Sequence, residues 1–240
     1  MVPTPMLLTV VIPTFDAADA LPATLAALRD EVARASAIKG LQVPELEIVV
    51  SDGGSSDGTA TIASGLGARV VTTAKGRASQ LRAGAAAARG EWLLFLHADT
   101  RLAEGWAARV AGFIANPANL GRAAAFTFRL DSDAPWAHRL EALVERRSRW
   151  LALPTGRQGL LISRIYYDAL GGYPDLPSLE DVDMIGRIGS ERLRVLPIAA
   201  VTSAARYEGE GWLKRMMRDA LCVGLWFAGV PATRVARLYQ

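Results

Sequence analysis

The chain has 240 residues, 51% hydrophobic and 21% charged, with a formal net charge of +3 and a mean hydropathy of +0.19. That balance excludes a disordered chain, and the single cysteine, Cys222, excludes an internal disulfide and fits a reducing compartment. The charge is uneven: from Val201 onward six Lys/Arg stand against three acids, too sparse a basic stripe for nucleic-acid binding.

No signal-peptide pattern is expected in MLLTVVIPT, which runs straight into a strand pattern. The longest C-terminal apolar run, Ala220–Val230, has 11 residues, whereas a spanning helix needs roughly 20. The expectation is a soluble, cytoplasmic protein, with peripheral contact at the inner face of the membrane as an open option.

In chain order, Leu8–Pro13 is a β-branched strand pattern, and Leu21–Arg34 repeats leucines at helical spacing. Glu47–Ser51 is a second strand, Gly58–Gly65 a short helix and Arg69–Thr72 a third strand. Ala78–Arg89 is an alanine-rich helix stopped by Gly90, and Trp92–Leu96 is an uninterrupted apolar strand. Apolar strands alternating with helices predict an α/β protein with a mostly parallel sheet covered on both faces.

After Asp99 the rhythm changes. Helices are predicted over Glu104–Ala115, Pro135–Trp150, Glu180–Ile188, Trp212–Phe227 and Pro231–Leu238, with strands over Ala124–Leu130, Gly159–Ser163 and Arg194–Pro197. No repeat or linker is visible. The reading is one domain: a nucleotide-type binding half over roughly residues 8–100, a second half over 101–210 and C-terminal helices over 211–240.

Three constellations carry chemistry. Asp52 ends the strand EIVVS and opens the loop DGGSSDGT. That is the crevice where open α/β sheets bind ligands, although Asp, Gly and Ser are also ordinary turn residues, the preferred reading for Ser56 and Asp57. His97-Ala98-Asp99 follows the strand WLLFL, and in an extended segment His97 and Asp99 face the same way. A divalent ion on Asp99 would neutralise diphosphate charge, with Mn²⁺ favoured over Mg²⁺ if His97 coordinates. Glu180 and Asp181 start a helix, where acids complement the dipole. One of them is a candidate general base; adjacent helical side chains diverge, so both are not expected to serve. Gly65-Leu66-Gly67 precedes a strand and lacks a third glycine, and the chain has no Gly-Lys-Ser/Thr loop, so the dinucleotide and phosphate-loop readings lose their main support.

Together these segments resemble the family-two glycosyltransferases of the GT-A (nucleotide-diphospho-sugar transferase) fold. The matching stretches are VVIPTFDAADAL, EIVVSDGGSSDGT, KGRASQLRAGAAAARGEWLLFLHADT, ALGGYPD and LEDVDM, in that order. The His-Ala-Asp-Thr motif, Gly76-Arg77 with Gln80, and Gln158-Gly159 are most similar to a bacterial subgroup described as arsenosugar-biosynthesis or radical-SAM-associated glycosyltransferases. The resemblance implies a donor nucleotide-diphosphate sugar whose base and ribose are held by Pro13, Thr14 and Asp52. It adds Asp16, Arg77, Gln80 and His97 to the donor site and makes Asp99 the metal and diphosphate residue. It also makes Asp181, beside Glu180, the base of an inverting displacement on a small or lipid-linked acceptor. The usual Asp-x-Asp has become His97-Ala98-Asp99, and the Gln-x-x-Arg-Trp motif of processive synthases is missing, which favours a single transfer.

Two other readings stand beside this one. A sugar-phosphate nucleotidyltransferase would show a glycine-rich basic loop after the first strand, where this chain has PTFDAADAL. A non-catalytic GT-A domain would bind a partner or membrane surface through Leu213, Met217, Leu221 and Leu225, flanked by Lys214, Arg215 and Arg218. Such a stripe ordinarily covers the core. Arg146-Arg147-Ser148-Arg149 reads as a solvated helix face, with acceptor-phosphate binding as the sharper alternative, and Cys222 as a packed apolar residue.

Overall fold

The computed structural model describes residues 6–151 and 154–239. Strands β1 (Leu7–Thr14), β2 (Glu45–Asp52) and β4 (Trp92–Phe95) have no polar face in their centres, where Val10, Val11, Val49, Val50, Leu93 and Leu94 are fully buried. Such strands need cover on both sides. Side chains alternate across the pleat, so Val10 and Ile12 meet helices α1 (Leu21–Ser36), α2 (Thr59–Gly65) and α4 (Trp106–Ile114) on one face. Val11, Leu93 and Phe95 meet α3 (Arg77–Ala87), α6 (Arg164–Ala169) and α7 (Glu180–Ile188) on the other.

The sheet is completed by β3 (Arg69–Thr72), β5 (Thr100–Leu102), β6 (Ala123–Leu130), β7 (Leu160–Ser163) and β8 (Leu193–Thr202), in the order β3-β2-β1-β4-β7-β6-β8-β5. Pairing is parallel from β3 through β4 and between β6 and β8. It is antiparallel where β7 lies between β4 and β6 and where β5 meets β8. The mostly parallel α/β sheet is therefore as expected. Thr14 pairs with Asp52 and Val11 with Phe95, so the carboxyl ends of β1, β2 and β4 lie side by side, where α/β sheets gather ligand-binding groups.

The second half departs from the sequence reading in three places. The strand expected over Arg194–Pro197 continues to Thr202. The ladder to β6 skips from Phe126–Leu196 to Thr127–Ala199, so Pro197, which has no N–H to donate, sits in the irregularity. Beyond it, β8 pairs with the unanticipated β5, placing Thr202 opposite Thr100. Short helices α6 and α8 (Ala205–Glu210) were also not anticipated. The third departure is the apolar stripe of α9 (Trp212–Phe227), which does not cover the core: Leu213, Met217 and Leu221 are exposed, and only Leu225 is partly buried.

Helix α5 (Pro135–Leu151) packs on β6 through Ala137, Leu140 and Val144, and α10 (Ala232–Tyr239) packs on α9, where buried Cys222 meets Leu179 and Val235. In the arginine-rich stretch of α5, Arg146 is exposed, whereas Ser148 is buried and donates to Gln158 Oε1 at 3.1 Å. The side chains of Arg149 and Trp150 lie outside the described residues. No helix among the described residues is long and apolar enough to cross a membrane.

Candidate active site

A cavity of about 550 Å³ opens at the carboxyl ends of β1 and β4 and is closed on the far side by α7, α8 and α9. Pro13, Thr14, Asp16, Arg77 and Gln80 line one part of it. His97, Asp99, Glu180 and Asp181 line the rest, so the structure brings together all the expected site residues except Asp52.

Asp52 is 2% exposed and stands outside the cavity lining. Its Oδ1 accepts from Thr14 Oγ1 at 2.9 Å, and its Oδ2 accepts from the Gly54 and Ser55 amides at 3.0 and 2.8 Å. Burial alone would raise its pKa, but these hydrogen bonds with that from the Ser55 hydroxyl hold it below the usual carboxylate range. The carboxylate thus fixes the loop after β2. That loop in turn fixes the one after β1: the Ser56 amide donates to Asp16 Oδ1 at 2.8 Å, and the Ala18 amide donates to Asp57 Oδ2 at 2.9 Å. Asp16 takes a left-handed backbone, φ +47°, to meet this contact. Gln80, reaching over from α3, donates to the carbonyls of Thr14 and Ser51 and holds both strand ends. A Cβ on Gly53 would lie 2.8 Å from the Gln80 amide, so the close approach requires glycine there.

Arg77 opens α3 and reaches the start of α7. Its Nε donates to Glu180 Oε1, and its Nη2 lies 3.5 Å from Asp181 Oδ2. The two acids therefore converge on one guanidinium, against the expectation that adjacent helical side chains would diverge. The guanidinium has two separate donor groups, so its Nε meets Glu180 while its Nη2 lies beside Asp181, and the two carboxylates need not point the same way. Burial pushes the Asp181 carboxyl up to about 6; Arg77 opposes the shift and the neighbouring Glu180 charge adds to it.

His97 and Asp99 lie in a turn, not an extended segment, with the Thr100 amide donating to the His97 carbonyl at 3.2 Å. The Ala98 carbonyl accepts from Thr24 Oγ1 at 2.7 Å, which pins the turn against α1. Burial pushes the His97 imidazole well below its ordinary pKa, and Arg77, Arg157 and Arg206 push it the same way, so it is neutral at physiological pH. A neutral imidazole can bind a metal or accept a hydrogen bond. Among the described residues no three His, Cys, Asp or Glu side chains gather around a metal-sized point. Asp99 and His97 could supply two ligands, which suits an ion that takes its remaining ligands from water and a diphosphate.

Sequence reasoning did not place Arg157, Arg206 and Tyr207 in the site. Arg157 follows Gly156 in a single 3-10 turn before β7. Its guanidinium lies 5.2 Å from the Tyr207 ring centroid, and its Nη1 is buried without a hydrogen-bond partner. Burial lowers the Arg206 pKa, Arg157 lowers it further and Asp99 opposes. Arg206 is more than a hundred positions from Asp99, so local sequence carries no sign of their proximity. The β5–β8 pairing creates it, and the Ser203 amide donates to the Asp99 carbonyl at 3.2 Å. Arg147 of α5 also lines the cavity.

The family model of glycosyl transferase family 2 matches residues 9–171, well over half of the chain. The chain belongs to glycosyl transferase family 2. Among curated proteins, this chain is similar to the PGL/p-HBAD biosynthesis glycosyltransferases of Mycobacterium bovis and Mycobacterium tuberculosis, with 39% identity over 113 residues. That match covers 44% of this chain and 40% of the relatives, so the chain spans less than half of their length.

Among solved structures, mannosyl-3-phosphoglycerate synthase from Rubrobacter xylanophilus superposes with a TM-score of 0.58 at 18% identity, over 90% of this chain and 75% of that one. Glucosyl-3-phosphoglycerate synthase from Mycobacterium tuberculosis, in complex with Mn²⁺, UDP and glucosyl-3-phosphoglycerate, gives 0.52 at 21%, over 82% and 71%. The mannosyltransferase PcManGT from Pyrobaculum calidifontis, with GDP-Man and Mn²⁺, gives 0.56 at 20%, over 83% and 57%. These likenesses establish the shared fold: this family-2 chain has the GT-A fold expected from its motifs.

Proposed function

We propose that this chain is an inverting glycosyltransferase that moves one sugar from a nucleotide-diphosphate sugar to an acceptor hydroxyl. The observation that carries the reading is Asp181, a carboxyl that faces the cavity beside Arg77 and whose pKa burial pushes up to about 6. It shares that cavity with a neutral His97, Asp99 and the arginines Arg157 and Arg206. In this reading Pro13, Thr14 and Asp16 hold the nucleoside end, with Asp52 and Gln80 shaping that wall. Arg157 and Arg206 face the diphosphate, whose charge grows as it leaves.

The acceptor O–H gives its proton to the Asp181 carboxylate while the oxygen forms a bond to the anomeric carbon. The bond from that carbon to the diphosphate oxygen breaks on the opposite side, and the nucleoside diphosphate departs with the electron pair. Asp99, with His97, would hold a divalent ion, which would neutralise diphosphate charge. Mn²⁺ in the UDP and GDP-Man complexes of the similar structures supports a cation of that kind, and His97 favours Mn²⁺ over Mg²⁺. A single transfer to a small or lipid-linked acceptor fits the missing processive motif. The segments Gly76-Arg77, His97–Thr100 and Gln158-Gly159 support the arsenosugar-type subgroup, which gene neighbourhood would check.

Calorimetric titration with UDP and GDP, with and without Mn²⁺, tests the donor half. One of the two is expected to bind saturably, and absence of binding by folded protein overturns the reading. Arg157→Ala with Arg206→Ala is expected to weaken that nucleotide about 10- to 100-fold, the range for losing charge-assisted hydrogen bonds.

A further inference from the structure

Helix α9 carries apolar residues on both sides: Cys222, with Trp212, Met216, Val223, Leu225 and Trp226, packs inward, and a second apolar strip faces outward. Its inward face carries Arg215, which bridges Glu210 at 2.7 Å and Asp219 at 3.2 Å, and both Arg215 and Asp219 line the cavity. Its outward face carries Leu213, Met217, Leu221 and Phe227, which are 57%, 63%, 53% and 60% exposed. At 100° per residue Leu213, Met217 and Leu221 form one strip, continued by exposed Ala220, Gly224 and Ala228. A surface helix ordinarily turns such a strip inward, and contiguous exposed apolar surface of this kind marks an interaction site.

The charges beside the strip select the occupant. From Gly211 onward the chain has Lys214, Arg215, Arg218, Arg234 and Arg237 but a single acid, Asp219. That acid faces inward, taken up by Arg215 and the Tyr207 hydroxyl. The strip is therefore edged by exposed Lys214 and by Arg218, which is paired with Glu210, and the neighbouring α10 exposes Arg234, Arg237 and Leu238. Two copies meeting through this face would bring like charges together. An anionic bilayer surface meets both properties at once: leucine, methionine and phenylalanine enter the acyl boundary while lysine and arginine stay at the headgroups.

We propose that the outer face of α9 docks the protein on anionic membrane surface, with the helix lying in the interface plane. The inner face of the same helix walls the cavity, so docking brings the cavity close to the lipid–water boundary. The proposal rests on a different face from the transfer chemistry and stands or falls independently of it.

Flotation of the full chain with phosphatidylcholine vesicles, with and without phosphatidylglycerol, tests this. The protein is expected to float only with the anionic vesicles and to be released by high salt. Met217→Glu with Leu221→Glu is expected to cut the bound fraction at least about tenfold, the apolar contacts being the anchor. Lys214→Gln with Arg234→Gln and Arg237→Gln is expected to weaken it and flatten the salt dependence. Unchanged nucleotide binding and circular dichroism of the variants show that they are folded. Failure of the native chain to float, or equal flotation of the double glutamate variant, overturns the proposal. So does a dimer in sedimentation velocity that the double glutamate variant dissolves, which would make the face a contact between copies.

Discussion

Asp181→Asn is expected to lower kcat by about 10²- to 10⁴-fold, the usual worth of a general base, while nucleoside-diphosphate affinity stays within about twofold of native. Asparagine keeps the size of the carboxyl and accepts no proton at neutral pH. In the native protein the base must be ionised, so kcat/KM should rise with pH through about 6 and then level. An ordinary aspartate would place that limb near pH 4.

The same shift has a consequence for stability. Folded Asp181 holds its proton more tightly than the unfolded chain does, so its ionisation costs stability as pH rises from about 3.8 to about 6 and leaves that cost in place above. Asp181→Asn removes the cost. Its melting temperature should equal or exceed the native value at pH 7.5, with the advantage shrinking toward pH 4. Thermal melts at both pH values separate a catalytic group from a structural one, because a residue needed for packing would melt earlier when replaced. Unchanged transfer by Asp181→Asn removes it as the base.

Gly156→Ala is expected to reduce kcat/KM about 100-fold with donor binding intact. A Cβ at this position would lie 1.9 Å from Asp181 Oδ2 and 2.4 Å from its Cγ, closer than atoms can approach. Gly156 has no left-handed φ, so alanine suits its backbone and the collision falls on the carboxylate. The turn cannot retreat easily. Gln158, 1% exposed, accepts from the Thr155 amide at 2.8 Å and donates to the Phe126 carbonyl at 2.7 Å, tying it to the sheet. Asp181 must therefore move, and a displacement of about 1 Å at a reacting group costs roughly 100-fold. The moved carboxyl would also leave Arg77 and its buried position, so the acid limb of the pH profile should shift, which a simple loss of stability would not produce. Gly186→Ala, on α7 with nothing within 4 Å of its new methyl, is the control and should leave transfer unchanged. Native kcat/KM in Gly156→Ala would show that the carboxylate does not act from this position.

How far the site was legible depends on how each residue arrives there. Pro13 and Thr14 end an apolar strand, and His97 and Asp99 lie in the turn just after another, and a strand's end is readable from its own residues. Asp52 is also at a strand end, yet its carboxylate is taken up by Thr14, Gly54 and Ser55, and turn chemistry and ligand chemistry use the same residue types. Arg206 belongs to the site only because β8 continues past Pro197 to pair with β5, and the proline that hides this continuation is the signal on which the sequence reading stopped. Gly156 left no mark: its role depends on a carboxylate that comes from another helix.

The sequence by itself determined an α/β architecture with a mostly parallel sheet, the order of the segments and the strand ends where a ligand would lie, because hydrophobic periodicity and turn residues act over a few positions. The GT-A fold was legible only through the resemblance of its ordered segments to a known family. The tertiary structure decided the rest. It set the proton affinity of Asp181, since burial and the charges of Arg77 and Glu180 act through space. It also decided the orientation of α9, because periodicity shows that a helix has an apolar face without showing whether that face looks inward.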